Sequence, residues 1–265
     1  MLITLSQDFL YTKCLCSSSF LDTGLCFDNK NILVIGGSSG IGRGIAESFI
    51  KYNANVCITG TRDSIKDYEE SISQNIEKCD YRKLDLSDHD NLNNLDLPFN
   101  DLDHLVCSQG IVAYKRKEFE MDIFKKVVDL NLNSIMASCS FFQEKLSQSN
   151  GSIIIIGSGA SYHSVKGNPA YSASKGGLLT LIKTLAEAWA ENNIRVNGIA
   201  PGFVATKLTE VTYKNKKRYD DSLRRIPLGR WGTPDDMGEL ACFLCSDGAS
   251  YITGQMITSD GGMSL

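Results

Sequence analysis

The sequence predicts an α/β domain in which a parallel sheet is covered on both faces by helices. Three observations predict it: short apolar runs rich in β-branched residues, helical stretches between them, and a glycine-rich turn directly after the first run. The 265 residues suit one such domain. No internal repeat, low-complexity tract or linker divides it. The net charge is −4, with no extended basic block, which argues against nucleic acid as the main ligand. No apolar stretch approaches membrane-spanning length. The 9 cysteines are odd in number and scattered through the elements, so they read as reduced thiols of a cytoplasmic protein. Cys242-x-x-Cys245 has redox or metal spacing, but no second cysteine or histidine pair accompanies it. It reads as two buried thiols of a helix, and no metal centre is expected.

Residues 1–24 read as an appendage to a domain spanning 25–265. The opening Met1-Leu-Ile-Thr-Leu5 has no basic region and meets Asp8 early, which fits a secretory signal poorly. From Asn29 the pattern becomes regular. Ile32-Leu-Val-Ile35 is a buried strand, and Gly36-Gly-Ser-Ser-Gly40-Ile-Gly42 turns the chain into a helix through Ala46, Phe49 and Ile50. Val56-Cys-Ile-Thr59, Tyr81-Arg-Lys-Leu84 and Leu102-Asp-His-Leu-Val-Cys107 are the next three strands, the last ending at Ser108-Gln-Gly110. One long helix follows, with Phe124, Val128, Ile135, Cys139 and Phe142 at helical spacing. Isoleucines 153–156 are β-branched throughout and too few for a helix, so they form a strand buried on both faces.

Asn168 and Pro169 then mark a helix start, an N-cap side chain followed by a proline where no N–H is missed. Tyr171 and Lys175 share a face of that helix, one turn apart, and Leu178, Leu181, Ile182, Leu185 and Trp189 continue it at core spacing. Ile194-Arg-Val-Asn197 is another strand, Thr233-Pro-Asp-Asp236 caps another helix with acid in its first turn, and Gln255-Met-Ile-Thr258 is a last short strand.

The stretch from Gly151 to Gly202 carries the chemistry. A phenol, an ammonium and the Ser158 hydroxyl converge above a strand end. A free tyrosine titrates near ~10 and is a poor acid or base at neutrality. A neighbouring ammonium favours the phenolate and lowers that pKa, so Tyr171 can protonate a carbonyl oxygen or remove an alcohol proton. Ser158 can hold the substrate oxygen as its charge develops. A Tyr-x-x-x-Lys on a helix arises by chance, and decides nothing alone. The glycine turn adds a second signal: small residues let a dinucleotide pyrophosphate approach the backbone at a helix N-terminus. Its spacing, Gly36-x3-Gly40-x-Gly42, is not the Gly-x-Gly-x-x-Gly fingerprint, and a plain tight turn is an equal reading.

Taken together, residues from about Leu25 to Gly262 resemble a classical short-chain dehydrogenase/reductase. The glycine loop, Asp85, Asn131, Ser158, Tyr171-x-x-x-Lys175, Pro201-Gly202 and Thr253-Gly-Gln…Asp260-Gly-Gly262 fall in that family's order and spacing. The resemblance implies a doubly wound Rossmann fold, a seven-stranded, mostly parallel sheet with helices on both faces. It implies a nicotinamide cofactor held by Gly36, Ser38, Ser39, Gly40, Ile41 and Gly42, by Asp85 and Leu86 at the adenine, and by Ser108 and Gly110. Lys175 and Tyr171 would meet the nicotinamide ribose, and Pro201, Gly202, Val204 and Thr206 the carboxamide. Asn131 would join Ser158, Tyr171 and Lys175 as a catalytic four, holding a water that relays protons to bulk. Two departures stand out. The family's usual threonine before the first glycine is Ile35, and its Asn-Ala-Gly is Ser108-Gln109-Gly110, which sets a bulkier side chain beside the expected adenosine ribose.

Cofactor choice follows from the end of the second strand. An acid there holds the ribose hydroxyls of NAD and repels a 2′-phosphate. This chain reads Thr59-Gly60-Thr61-Arg62, which removes the repulsion and offers a guanidinium to phosphate. NADP(H) is therefore expected, with Thr61 and Arg62 at its phosphate. The alternative for Arg62 is a solvated loop charge.

The expected activity is interconversion of a ketone and a secondary alcohol. Substrate identity should lie in residues 159–169, where His163 stands, and 203–228. Lys214-Asn-Lys-Lys-Arg218 with Arg224 and Arg225 would suit an anionic carrier, and Ile226-Pro-Leu-Gly-Arg-Trp-Gly resembles the 3-oxoacyl-carrier-protein reductase branch. Sugar and other alcohol dehydrogenases share that segment and are the alternative. A reading of another class is a nicotinamide-binding interaction protein with little turnover, against which the intact four residues count. Surplus apolar positions, among them Met136, Phe141 and Phe142, predict a homo-oligomer, a tetramer before a dimer.

Overall fold

The computed structural model describes residues 24–68 and 76–265. The appendage read at 1–24 lies, apart from Gly24, outside the described residues. In chain order the strands are β1 (Asn31–Ile35), β2 (Asn55–Gly60), β3 (Asp80–Lys83), β4 (His104–Cys107), β5 (Ser152–Ile156), β6 (Arg195–Pro201) and β7 (Met256–Ser259). They form one 7-stranded sheet in the order β3-β2-β1-β4-β5-β6-β7. Every neighbouring pair is parallel. The order reverses between β1 and β4, and that switch point opens a crevice at the carboxyl ends of the strands.

Helix α1 (Gly40–Lys51) follows β1, α2 (Met121–Val128) and α3 (Ser134–Gln148) follow β4, and α4 (Pro169–Trp189) follows β5. After β6 come the short α5 (Glu210–Tyr213) and α6 (Lys216–Leu223), then α7 (Pro234–Cys245) before β7. Alternation fails in one described stretch: between β3 and β4 there is only a 3-10 turn at His89–Asn94.

The two-sided burial of β5 is visible residue by residue. Ile153 and Ile155 face α3 and α4, packing with Ile135, Phe142, Leu178 and Ile182. Ile154 and Ile156 face α1 and α7, packing with Ile45, Phe49, Met237 and Ala241. A strand between two layers has no solvent face, which is why its sequence is apolar at every position. Helix α7 starts on the expected cap, with Thr233 and Asp236 in a reciprocal capping box and Pro234 in the first turn. Arg230 grips Asp236 with two bonds of 2.7 and 2.8 Å and holds its carboxyl well below the usual carboxylate range. Cys242 and Cys245 are both buried and free, and burial pushes both thiols up.

The single long helix predicted after β4 is instead two helices joined by a π-turn at Asp129–Asn133. The extra residue of that turn shifts the register. Val127 becomes the buried position of α2, and Phe124 and Val128 line an outer groove of about 450 Å³ with Met121 and Asn133. Ile135 and Cys139 keep their predicted core places, and Phe142, also expected among the surplus apolar positions, is buried with them and offers no surface to a second subunit.

Candidate active site

The site is built where β1, β4, β5 and β6 end. At the end of β1 the chain turns through Gly36 (φ 76°) and Gly40 (φ 55°), a backbone hand that side chains disfavour. A Cβ on Gly42 would lie 2.3 Å from the Gly36 carbonyl oxygen, so the turn closes only with glycine there. The Gly36 N–H donates to the Thr59 hydroxyl at 3.2 Å, a support from β2 that the motif reading missed. Ser39 precedes α1 without making a side-chain cap, and the first turn of α1 holds no acid. Ser38 is buried, while Ser39 and Ile41 are half-buried at the rim. A helix N-terminus with no negative charge of its own, fronted by a tight glycine turn, is a fit for a pyrophosphate.

The departure at Gln109 is resolved by where its side chain goes. It is buried, with Nε2 donating to the Ser134 hydroxyl at 3.3 Å. The side chain therefore turns towards α3, and the Gln109 backbone packs on the loop, its N 2.9 Å from where a Gly36 Cβ would stand. Ser108 donates its N–H to the Ile35 carbonyl at 2.9 Å, continuing the β1–β4 pairing by one residue.

The adenosine end lies beyond β2 and β3. Asp85 is exposed, with its carboxylate accepting from the Ser87 N–H at 2.9 Å, and Leu86 is buried beneath it. Arg62 stands over the Tyr68 ring, 4.7 Å from its centroid, and its N–H donates to the Tyr68 hydroxyl at 3.2 Å. The guanidinium is thus seated on an aromatic face rather than loose in solvent, and Thr61 beside it is exposed. Gly60 has a second reason to be glycine. A Cβ there would meet the Tyr68 hydroxyl at 2.3 Å and the Ser38 hydroxyl at 2.6 Å. An acid at this position, the arrangement that holds the ribose of NAD, would therefore need both Tyr68 and Ser38 to move.

From the other side, Pro201 ends β6, and Gly202 donates to the Ser259 carbonyl at 3.1 Å. The segment then crosses the glycine loop, with the Thr206 methyl 3.3 Å from where a Gly40 Cβ would stand. Val204 is buried, and its carbonyl accepts from the Thr209 hydroxyl at 2.6 Å.

The four residues that the resemblance marks as catalytic come together below these loops. The π-turn carries Asn131 inward to 0 % exposure. Its amide clasps the Ile111 backbone, accepting from the N–H at 2.8 Å and donating to the carbonyl at 2.9 Å, and donates to the Ser174 hydroxyl at 3.3 Å. Both donors are thereby engaged, so the side chain's first role is to hold the loop after β4. A Cβ on Gly110 would lie 3.3 Å from Asn131 Oδ1 and 3.7 Å from Lys175 Nζ, which shows how closely the three gather. Lys175 Nζ donates to the Ile156 carbonyl at 2.7 Å and lies 5.8 Å from the Tyr171 ring centroid. Ser158 accepts from the Ala160 N–H at 3.1 Å and faces the Tyr171 hydroxyl.

The geometry corrects two sequence expectations. An ammonium was to lower the tyrosine pKa, yet burial pushes Tyr171 up, with the Ser158 contact opposing it, while burial brings Lys175 down to about 8. Desolvation penalises phenolate and ammonium alike, and at 5.8 Å from the ring the lysine does not outweigh it. The second concerns Asn168, which caps nothing with its side chain. Its amide donates instead, to the Ala113 carbonyl and to Glu118 Oε1, both at 3.1 Å. The helix is capped from outside: Glu118 Oε2 accepts from the Tyr171 N–H at 2.9 Å.

Glu118, 0 % exposed, and Tyr114, whose hydroxyl donates to the Leu208 carbonyl across the cleft, were not singled out by the sequence. Nothing in the charge-dense Lys115-Arg-Lys-Glu-Phe-Glu120 marks one acid as buried. His163 is exposed on its loop. The aromatic residues between β6 and α7, Phe203, Tyr213 and Tyr219, gather on Trp231, which stacks on Phe203 at 4.9 Å and donates to the Ser222 hydroxyl at 2.7 Å.

Comparison with known proteins agrees with this geometry. A family model described as enoyl-(acyl carrier protein) reductase matches residues 36–264. The 2-dehydro-3-deoxy-D-gluconate 5-dehydrogenase of Bacillus subtilis is 32 % identical, covering 92 % of this chain and 98 % of the relative. A 3-oxoacyl-[acyl-carrier-protein] reductase of Chlamydia trachomatis is 35 % identical, covering 89 % and 97 %. A solved structure from Agrobacterium tumefaciens with bound NADP, provisionally named a 2-deoxy-D-gluconate 3-dehydrogenase, superposes with a TM-score of 0.80 at 28 % identity, covering 90 % of this chain and 98 % of the other. Fold, site order and relatives converge: the chain belongs to the classical short-chain dehydrogenase/reductase family, and is a nicotinamide-dependent oxidoreductase of CH–OH and C=O groups.

Proposed function

We propose that this protein is an NADP(H)-dependent reductase of a ketone, or dehydrogenase of the matching secondary alcohol, working through Tyr171, Ser158, Lys175 and Asn131. The observation that carries this reading is the meeting of those side chains beside the glycine turn at the switch point of the sheet. When bound, the cofactor supplies or accepts the hydride. Gly36, Ser38, Ser39, Gly40, Ile41 and Gly42 would receive its pyrophosphate, Asp85 and Leu86 its adenine, and Ser108 and Gly110 the adjoining ribose. Pro201, Gly202, Val204 and Thr206 would close over the nicotinamide. Arg62 with Thr61 would hold a 2′-phosphate, since Gly60 brings no opposing acid to that corner.

For the chain's own part, the Tyr171 hydroxyl, kept protonated by burial, gives its proton to the carbonyl oxygen in reduction and takes it back in oxidation. Ser158 holds the same oxygen by a hydrogen bond as negative charge grows on it. Lys175 keeps its Nζ anchored on Ile156 and presents its remaining donors towards the ribose and the phenol. Asn131 fixes Ile111, and with it the floor of the substrate cleft.

Of the two substrate classes its relatives suggest, a compact polar hydroxy or keto acid fits better. Tyr114 reaches across the cleft to Leu208, which roofs it against a long chain. The second reading, a 3-oxoacyl thioester on an anionic carrier, rests on exposed Lys216, Lys217, Arg218 and Arg225 in and just after α6. Lys214 and Arg224, however, already pair with Glu210 and Asp221. A panel of keto sugar acids, small ketones and 3-oxoacyl thioesters, run with NADPH and NADH in parallel, decides between them. Turnover of thioesters alone would reverse that order of preference, and saturable cofactor binding with no turnover at all would favour an interaction protein.

The assembly we expect is a homo-oligomer, a tetramer before a dimer, in the cytoplasm. Phe119, Met121, Met136 and Phe141 stand exposed along α2, α3 and the turn before them, more apolar surface than a lone soluble subunit commonly leaves. Among the described residues, no helix is long and apolar enough to cross a membrane. Sedimentation of a fully active 29.1 kDa monomer would remove the oligomer from this reading.

A further inference from the structure

We propose that Glu118 is a positioning residue for the catalytic tyrosine, a buried side chain that ties the substrate loop to the first turn of the Tyr171 helix. The proposal rests on Tyr171 being the proton donor.

Three donors converge on the carboxylate: Ala113 N–H at 2.9 Å and Asn168 Nδ2 at 3.1 Å on Oε1, and the Tyr171 N–H at 2.9 Å on Oε2. Charged side chains are seldom buried this fully, and one that is must have partners that a neutral group would serve less well. Its position has three consequences. It lies at a helix N-terminus, where a negative charge offsets the dipole. It fixes the backbone of Tyr171 itself, not merely of the helix. It also holds Ala113, whose neighbour Tyr114 roofs the cleft.

The loop is forced into shape to deliver it. Lys115 and Arg116 both adopt the left-handed backbone, at φ 60° and 59°, between Tyr114 and the turn that carries Glu118. Two successive non-glycine residues in that region are unfavourable and persist only where surrounding contacts over-determine them. The Glu118 bonds are such contacts.

The Ser158 hydroxyl contacts the Tyr171 phenol, Lys175 on the same helix lies 5.8 Å from its ring, and Glu118 and Tyr114 of this loop act on it through space. Glu118 and Tyr114 both disfavour the phenolate. Removing the Glu118 charge should therefore make Tyr171 ionise at lower pH.

The test compares Glu118→Gln and Glu118→Asp with the wild type in the full chain. E118Q keeps size and loses charge. It should lower kcat by about ten- to a hundredfold, the scale of a small misplacement of a reacting group, with the KM for NADPH unchanged. E118D keeps the charge on a shorter arm, so it should lose kcat while its pH profile stays that of the wild type. Tyrosinate absorbance assigned to Tyr171 by difference against Tyr171→Phe gives a second readout that needs no substrate. It should ionise at lower pH in E118Q than in wild type. If E118Q does not fold, Asn168→Ala leaves the charge in place and removes one of its donors, and must lower kcat without moving the NADPH KM. An E118Q that matches wild type in kcat and in tyrosinate titration overturns the proposal, as does an N168A of unchanged kcat. A wild type that turns over no carbonyl sinks the reading of the site instead, and the titration still decides the role of Glu118.

Discussion

Strand β5 carries a serine at each end, and the two hydroxyls live in opposite circumstances. Ser152, at the start of the strand, is 1 % exposed, bonds His104 Nδ1 at 2.8 Å and donates to the Cys245 sulfur at 3.3 Å. Ser158, just past the other end, accepts one backbone N–H and opens towards a cleft. The buried basic side chains follow the same division. Burial brings His104 down to about 3, so it stays neutral at any working pH, whereas Lys175 comes down only to about 8 and can change charge there. The lesson is that burial alone does not make a site. At the amino edge Asp103, His104 and Ser152 find their partners within the fold, and at the carboxyl edge Ser158 keeps capacity for a ligand.

Exchanging the serines would break this comparison if it is wrong. Ser158→Ala should lower kcat by roughly a hundred- to a thousandfold, the usual loss for one donor to a developing oxyanion, with an unchanged melting temperature. Steady-state kinetics and calorimetry on the same preparation check both halves. A variant that loses stability instead of rate would make Ser158 a structural serine like Ser152.

At the cofactor end, Arg62→Ala should raise the KM for NADPH by roughly tenfold to a hundredfold, as expected for a charge-assisted contact worth ~1.5–3 kcal/mol. The KM for NADH should hardly move. Equal effects on both cofactors would return Arg62 to the status of a surface charge resting on Tyr68.

The lysine sharpens the comparison through pH. Lys175, at about 8, carries its charge below that pH and loses it above. Tyr171 is pushed up by burial and stays protonated through the same window. Carbonyl reduction should therefore slow as pH rises through about 8, with the lysine setting the limb. Lys175→Arg keeps a charge and should carry the limb upward at a lower rate. A limb that stays where it was would assign it to another group.

The smallest effect belongs to the amino edge. Ser152→Ala leaves a buried imidazole nitrogen without its partner, a cost of about 1–3 kcal/mol. Thermal unfolding should register this while kcat and both KM values stay put. A change in turnover would mean the two ends of the sheet communicate.

Much of the fold and site is legible in the sequence because it depends on local pattern. The isoleucines of β5 can only be a two-sided strand, and Thr233-Pro-Asp-Asp236 can only open a helix. Glycines at 36, 40 and 42 announce a turn that their geometry requires. What escapes is set by contacts far apart in the chain. The π-turn that buries Asn131 adds one residue to a helical period that otherwise reads as continuous. Glu118 caps a helix 53 residues away, a pairing no local pattern encodes. Gln109 reads as an obstruction unless its partner, Ser134, is known. The pKa balance between Tyr171 and Lys175 depends on how far each is desolvated, and spacing on a helix says nothing about that.

The most direct measurement sets binding against turnover in Tyr171→Phe. NADPH affinity is taken by fluorescence titration, and turnover is followed on the best carbonyl substrate of the wild type. With Tyr171 as proton donor, NADPH affinity should stay within about twofold of wild type, since the ring remains, and kcat should fall by roughly a hundredfold to ten-thousandfold, the contribution of a positioned proton donor. Near-normal turnover in that variant would contradict the assignment and move the proton donor elsewhere in the cleft.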